Sequence, residues 1–374
     1  MYAAGVVEHL RSACPDVEFY GCAGPRLKAA GVKPVIDAAE LAVVGLAEVV
    51  THLPRIYGEY RKLIQYVKGH PPVAALLTDS PDFHLRVARH LKRLGIPVFY
   101  LVAPQVWAWR QGRVKTIRAR VDKLFCLFPF EEPWFRERGV DATYIGHPLA
   151  KVVKCRGTRT GFFEGHGIPA KKPLVTLLPG SRAGEACRHM PVLLDAIELL
   201  GRRLQFSAVL ATPAGFATHM ALQKFRERIE SLSIKVIEGE TWDAIGYADL
   251  ALAASGTVTV EAAVLGTAMV TFYKVTPLTW HGGRRLVKVP FLSMVNLIAG
   301  RKIVPELIQD EMTPDAISAA AERLLTDPSA ADAMRSELRG VRSALTAEGD
   351  ALERAAGMIV RSLPELARRA PVRC

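Results

Sequence analysis

The stretch Leu250-Ala251-Leu252-Ala253-Ala254-Ser255-Gly256-Thr257-Val258-Thr259-Val260-Glu261-Ala262-Ala263-Val264-Leu265-Gly266-Thr267-Ala268-Met269-Val270-Thr271-Phe272-Tyr273 holds one charge, Glu261, over a length that could span a bilayer. Gly256 and Gly266 punctuate it, and Thr257, Thr259 and Thr267 dilute its hydropathy. It divides into strand, turn, short helix and second strand. That division is the pattern of a buried α/β core, not of a membrane span.

The same alternation recurs on either side. Strands are predicted at Val17–Tyr20, Val73–Leu77, Pro97–Val102, Lys123–Phe128 and Thr143–Ile145, each followed by a turn and an amphipathic stretch. A second series follows at Leu174–Leu178, Ser207–Ala211, Lys235–Ile237, Leu250–Ala253 and Met269–Phe272. Between the two, Lys151 to Arg159 is basic and poor in apolar residues, and Gly157, Gly161, Gly165 and Gly167 interrupt any helix, so the linker is expected there. From Thr313 the chain reads as helical, ending in a basic tail, Arg368-Arg369 to Arg373. The expected fold class is α/β, with two Rossmann-like domains in tandem facing a cleft. Residues 1–156 and 157–340 form the halves, and helices in 341–374 are free to pack back on the first.

The 374 residues, 23% charged and 50% apolar, supply core for two domains and exclude disordered, collagenous and disulfide-stapled classes. Forty-nine basic against 37 acidic residues give a net charge of +12, which favours an anionic partner: nucleic acid, an acidic membrane face or a phosphorylated substrate. Cys14, Cys22, Cys126, Cys155, Cys187 and Cys374 form no C-x-x-C pair, so a reducing compartment fits better than a zinc cage or disulfide framework. Met1 to Leu10 has Glu8 and His9 in place of a basic-then-apolar leader. His84, His147 and His189 have no partner at metal-ligand spacing, and G-x-G-x-x-G, the P-loop motif, H-E-x-x-H and G-x-S-x-G are absent.

Ligands of open parallel sheets bind beyond the carboxyl ends of the strands, which limits the search for chemistry to those loops. Leu178-Pro179-Gly180-Ser181-Arg182 offers a glycine for close backbone approach, Ser181 as a helix cap and a guanidinium suited to phosphate, or it is an ordinary turn with a solvated arginine. Ala254-Ser255-Gly256-Thr257 opens a second helix start, with Ser255 or Thr257 as its cap, and Glu261 lies one to two turns in. A carboxylate in so apolar a segment needs donors, and a ribose diol supplies two. In Asp79-Ser80-Pro81-Asp82, the carboxylates read locally as cap and dipole partners, although two of them three residues apart also suit general-base work. Pro104 to Arg110, with Trp107, Trp109 and the following Arg113, Lys115, Arg118 and Arg120, reads as a cleft wall and basic helix more than as a nucleic-acid stripe.

These loops together resemble the lipid-A-disaccharide synthase family, inverting glycosyltransferases of the two-Rossmann-domain (GT-B) type. The resemblance runs from Met1 to about Gln309 through Ala23-Gly24-Pro25-Arg26, Glu40 to Gly45, Asp79 to Phe83, Pro104 to Arg110, Gly146-His147-Pro148, Leu178 to Arg182, Ala254 to Thr257, Arg284 to Lys288, Asn296 to Gly300 and Val304 to Leu307. It implies transfer of diacylglucosamine from UDP to the 6-hydroxyl of diacylglucosamine 1-phosphate, giving the β-1,6 lipid A disaccharide and UDP. By the same resemblance Gly180, Ser181 and Arg182 hold the diphosphate with Ser255, Gly256 and Thr257. Glu261 takes the ribose, Asn296 and Glu306 line the donor site, and Asp79 is the general base, which reverses its local reading. No metal or cofactor is implied.

The basic balance then fits phosphorylated lipid at an anionic membrane surface, and nucleic acid is not expected. In the stretch Leu46 to Ile64, the apolar residues Leu46, Val49, Val50, Leu53, Ile56, Tyr57, Leu63 and Ile64 interleave with Arg55, Arg61 and Lys62. They either meet a membrane interface or pack on the domain's own sheet. The expected place is the cytoplasmic face of the inner membrane, peripherally bound, and a homodimer is allowed. Relative to the family, the chain opens inside the first helix, at Met1 to Val7, so the first strand of the N-terminal sheet and a Ser-Gly-Glu-x-Ser-Gly-Asp loop are expected to be missing. The alternatives are a catalytically impaired, truncated homologue and another UDP-sugar GT-B transferase or epimerase.

Overall fold

Short apolar runs become parallel strands on both sides of residue 148. In the computed structural model, which describes residues 1–41, 46–215, 223–283 and 287–367, the chain divides into two units. The first is Met1–Pro148 together with Ala347 onward, and the second is Leu149–Thr346. The division falls at Pro148 and not within 151–159 because Leu149 and Val153 are buried and Leu149–Val152 packs on the helix Thr257–Leu265 of the second unit.

The first unit holds β1 (Tyr20–Ala23), β2 (Lys33–Asp37), β3 (Ala75–Thr78), β4 (Val98–Leu101), β5 (Lys123–Cys126) and β6 (Ala142–Tyr144). β1 and β2 form a parallel pair, and β3 to β6 form a parallel sheet in chain order. β4 is buried along its whole length. Its Phe99 and Leu101 join Phe125, Leu127 and Ile145 in one cluster with Val6 and Leu10 of the helix Tyr2–Ala13 and with Ala355, Ala356 and Ile359 of the helix Ala351–Ala367. The first and last helices therefore pack together over the same sheet.

The second unit holds β7 (Leu174–Leu178), β8 (Ser207–Thr212), β9 (Lys235–Glu238), β10 (Leu250–Ala254), β11 (Met269–Tyr273) and β12 (Glu306–Ile308). Their order is β12-β11-β10-β7-β8-β9, all parallel. β7 and β10 sit at the centre and are fully buried, as continuous apolar runs covered on both faces must be. Leu250 to Tyr273 resolves into β10, the helix Thr257–Leu265 and β11, with Gly266 ending the helix in the left-handed conformation at φ 76°. Among the described residues no helix is long and apolar enough to cross a membrane. The arrangement is the α/β fold of parallel sheets that the alternation required.

Three strands depart from expectation. β1 lies three residues after the predicted Val17–Tyr20, and Val17 is exposed. β2 and β12 had no prediction: β2 carries Lys33, Pro34 and Asp37, and β12 spans only Glu306–Ile308. The basic tail 368–374 lies outside the described residues.

Candidate active site

Strand order in the second unit reverses between β7 and β10, and Leu178 at the end of β7 is the Cα partner of Ala253 on β10. The loops Pro179–Arg182 and Ser255–Thr257 therefore leave adjacent strands side by side, at the switch point where such sheets bind ligands. Gly180 has φ +115°, and a Cβ there would come 3.0 Å from Glu185 Oε2 and 3.1 Å from Glu185 Cβ, so both the backbone and the space call for glycine.

Arg182 precedes the helix Ala183–Gly201 and its side chain is 76% exposed. Its Nη1 lies 3.1 Å from Glu185 Oε1, which also accepts the Tyr273 hydroxyl at 3.2 Å. Ser181 does not cap this helix: the cap position falls on Arg182, with no side-chain bond to the helix start. His189, fully buried, ties the loop to the end of β11. Its Nδ1 donates to the Pro179 carbonyl at 2.7 Å, and its Nε2 accepts the Lys274 N–H at 3.1 Å. Burial holds its pKa below the usual histidine range, which suits this neutral tautomer.

At the second loop Gly256 and Thr257 are exposed, Gly256 takes the cap position, and again no side chain caps the helix. Ser255, half-buried, donates its hydroxyl to the Leu292 carbonyl at 3.0 Å instead of capping. Elsewhere in the unit three helices are capped by side chains, those of Thr158, Thr313 and Asp327, while the helices Arg226–Ser231, Thr241–Gly246 and Met294–Ala299 are also without a side-chain cap. Two uncapped helix starts, the first with an exposed guanidinium at its cap position, offer N–H groups and positive charge to an anion. Glu261 lies one turn beyond Thr257 and is half-buried. Burial raises its pKa, against a hydrogen bond with Trp242 that lowers it. Trp242 stands in the helix Thr241–Gly246 after β9 and was not singled out in the sequence.

Asn296 and Glu306 are buried, and their polar groups are turned onto backbone. Glu306 Oε1 accepts the N–H groups of Leu292, at 2.6 Å, and Ser293. Asn296 Oδ1 accepts from Ile303 at 2.8 Å and Val304 at 3.0 Å, while its Nδ2 donates to the Val304 carbonyl at 3.2 Å. Glu306 therefore secures the segment 292–293 on which Ser255 rests, while Asn296 holds 303–304 and donates its Nδ2 to Glu306 Oε2 at 3.5 Å.

In the first unit the loop after β3 carries Asp79 and Ser80, both exposed and both left-handed, with φ 56° and 40°. Asp79 Oδ1 accepts the Ser80 N–H at 2.8 Å. Ser80 holds the cap position of the helix Pro81–Arg93 without a side-chain cap bond, and Pro81 takes the first turn as expected. Asp82 pairs with Arg113 and, at 3.7 Å, with Arg110, so it meets guanidinium groups as well as the helix start.

Within the stretch Pro104–Arg110 after β4, Trp107 is buried and Trp109 exposed under Arg110, whose guanidinium lies 4.3 Å from the indole centroid. Trp107 Nε1 donates to Glu131 Oε1 at 3.0 Å, and Glu131 Oε2 accepts from Leu127 and Phe128. Burial pushes the Glu131 carboxyl up to about 7, against those three donors. Among the described residues no group of histidines, cysteines and carboxylates could hold a metal ion.

A family model described as Lipid-A-disaccharide synthetase matches residues 1–356. The chain is 55% identical to the lipid-A-disaccharide synthase of Solibacter usitatus over 95% of its own length and 92% of that protein, and 41% identical to that of Koribacter versatilis over 99% and 96%. Its fold is similar to that of a UDP-GlcNAc 2-epimerase from Neisseria meningitidis bound to UDP-GlcNAc (TM-score 0.59, 12% identity, 97% of each chain). A glycosyltransferase from Rickettsia africae is likewise similar (TM-score 0.57, 10% identity, 99% and 95%). The architecture is thus of GT-B type, and the chain belongs to the lipid-A-disaccharide synthase family.

Proposed function

We propose that the chain, a glycosyltransferase of this family, moves diacylglucosamine from UDP to the 6-hydroxyl of diacylglucosamine 1-phosphate, forming the β-1,6 lipid A disaccharide with inversion and releasing UDP. The observation that carries the donor half is the adjacency of the β7 and β10 loops at the switch point, each opening an uncapped helix start. Arg182 leaves Glu185 for the diphosphate, while Glu185 keeps the Tyr273 hydroxyl. Gly180 and Ser181 admit the phosphates to the backbone, and Ser255, Gly256 and Thr257 present the second helix start. Glu261, half-buried and hydrogen-bonded to Trp242, has further acceptor capacity and receives the ribose hydroxyls. Asn296 and Glu306 serve the donor site through the backbone they secure.

In the acceptor half Asp79 takes the proton of the 6-hydroxyl as its oxygen attacks the anomeric carbon. The bond from that carbon to the diphosphate breaks, its electron pair leaving with UDP. Charge on the leaving group is met by Arg182 and the helix N–H groups. The likeness to epimerases is one of fold, and the family match favours transfer over epimerisation.

The lipid substrates point to a membrane surface. On the helix Leu46–Gly69, Leu53 and Tyr57 lie one turn apart and are 50% and 58% exposed, with Arg61 and Lys62 exposed a turn further on. Leu63 and Ile64 face the core. The side chains of Leu46, Val49 and Val50 lie outside the described residues. An apolar pair beside cations suits an anionic headgroup layer, and the cytoplasmic face of the inner membrane is the proposed place.

The test is mass spectrometry of products after incubation with both acylated sugars. A disaccharide 1-phosphate formed together with stoichiometric UDP supports the reading. UDP release without disaccharide, or a 2-epimerised donor, contradicts it.

A further inference from the structure

Asp79 and Ser80 are consecutive left-handed residues, and neither is glycine. A side chain disfavours that conformation, and it persists only where the surroundings over-determine it. Here the surroundings are identifiable, because the Asp79 carbonyl is held twice. The Tyr100 hydroxyl donates to it at 2.6 Å, and the His84 Nδ1 lies 2.8 Å from it. A carbonyl can only accept, so Nδ1 carries the proton. The two donors come from different elements, β4 and the helix Pro81–Arg93, and Tyr100 is fully buried.

Resting on the reading of Asp79 as the general base, we propose that His84 and Tyr100 are positioning residues that lock the Asp79 backbone in its left-handed conformation and so fix the direction of its carboxylate. Without them the loop relaxes toward ordinary backbone angles, and the carboxylate swings with it. Supporting this, burial keeps Tyr100 protonated, so its hydroxyl remains a donor over the working pH range. Burial also holds His84 below the usual histidine range, against opposing help from Asp79, which leaves the neutral ring free to keep its proton on Nδ1. The role is separate from substrate contact: both side chains act on a main-chain oxygen.

The experiment compares steady-state kinetics and thermal unfolding of the full chain with those of His84→Ala, His84→Asn, Tyr100→Phe and Asp79→Asn. Asparagine carries its Nδ2 on Cγ, as histidine carries Nδ1, so it can donate from the same place without the ring. The expected result is a roughly tenfold to hundredfold loss of kcat in His84→Ala with KM for the UDP-sugar unchanged, since misplacement of about 1 Å costs that much. His84→Asn is expected to restore kcat to within about threefold, a recovery that a loss of packing alone would not show. If His84→Ala does not fold, Tyr100→Phe, which removes only a hydroxyl, is expected to lower kcat in the same selective way. An inactive Asp79→Asn beside fully active His84→Ala or Tyr100→Phe overturns the positioning role alone. A fully active Asp79→Asn overturns the base reading and the positioning role with it.

Discussion

Arg182 Nη1 lies 3.1 Å from Glu185 Oε1, so the one exposed guanidinium at the β7 loop is tied to the first turn of its own helix. A pair whose guanidinium lies in solvent contributes only about 0.2–1 kcal/mol, far less than a diphosphate offers in charge-assisted bonds. On the proposed reading the pair is a resting partner that an anion displaces. Glu185→Gln removes the competitor and its charge, and titration calorimetry is expected to show UDP binding tightened up to about fivefold. Arg182→Ala is expected to weaken UDP binding by more than about tenfold. Unchanged affinity in Arg182→Ala would remove Arg182 from the donor site.

Glu306 acts at a distance from any exposed surface. Its carboxylate accepts the Leu292 and Ser293 N–H groups, and Leu292 in turn accepts the Ser255 hydroxyl. Glu306→Ala leaves one buried and one half-buried donor unpaired, at a cost of about 2–4 kcal/mol in urea unfolding. UDP affinity is expected to fall with it. A variant with wild-type stability would show that the segment 292–293 is held by something else.

Glu131 makes stability depend on pH in a defined direction. Its folded pKa is raised by burial from 4.5 to about 7, so the folded state favours the protonated form. The stability it contributes is present below about pH 4.5, declines as pH rises, and is lost above about pH 7, by up to roughly 3 kcal/mol. The difference in unfolding free energy between wild type and Glu131→Gln is expected to fall across that window and stay flat above it. A difference that rises with pH would contradict the assignment.

Leu53 and Tyr57 test the membrane surface. Leu53→Glu with Tyr57→Glu places two carboxylates on an already exposed face, so unfolding is expected to shift by less than about 1 kcal/mol. Cosedimentation with vesicles containing anionic lipid is expected to fall at least about fivefold. Undiminished vesicle binding would move the contact elsewhere.

Much of the fold was legible because the central strands announce themselves. β7, β10 and β11 are largely apolar runs, and the loops after β7 and β10 read as ligand loops from the sequence. β2 and β12 were not legible, since lysine, proline and aspartate in one and Pro305-Glu306 at the start of the other conceal their pairing. Site residues followed the same division. Gly180, Arg182 and the Ser255–Thr257 turn lie in local patterns, whereas His189 and Tyr273 reach the β7 loop from β11 or tie it there across more than eighty residues. The capping roles read for Ser181 and Ser255 failed because each cap position falls one residue later. The left-handed backbone at Asp79 carries no glycine to mark it, and it depends on Tyr100, twenty-one residues on.

The most direct test of the account is UDP release, with both acylated sugars present, by wild type and by Asp79→Asn, alongside UDP affinity by calorimetry. Asp79→Asn keeps the size of the side chain and removes the proposed base, so turnover is expected to fall by about 10²–10⁴ while UDP affinity stays unchanged. Turnover by Asp79→Asn at the wild-type rate would contradict the proposed mechanism.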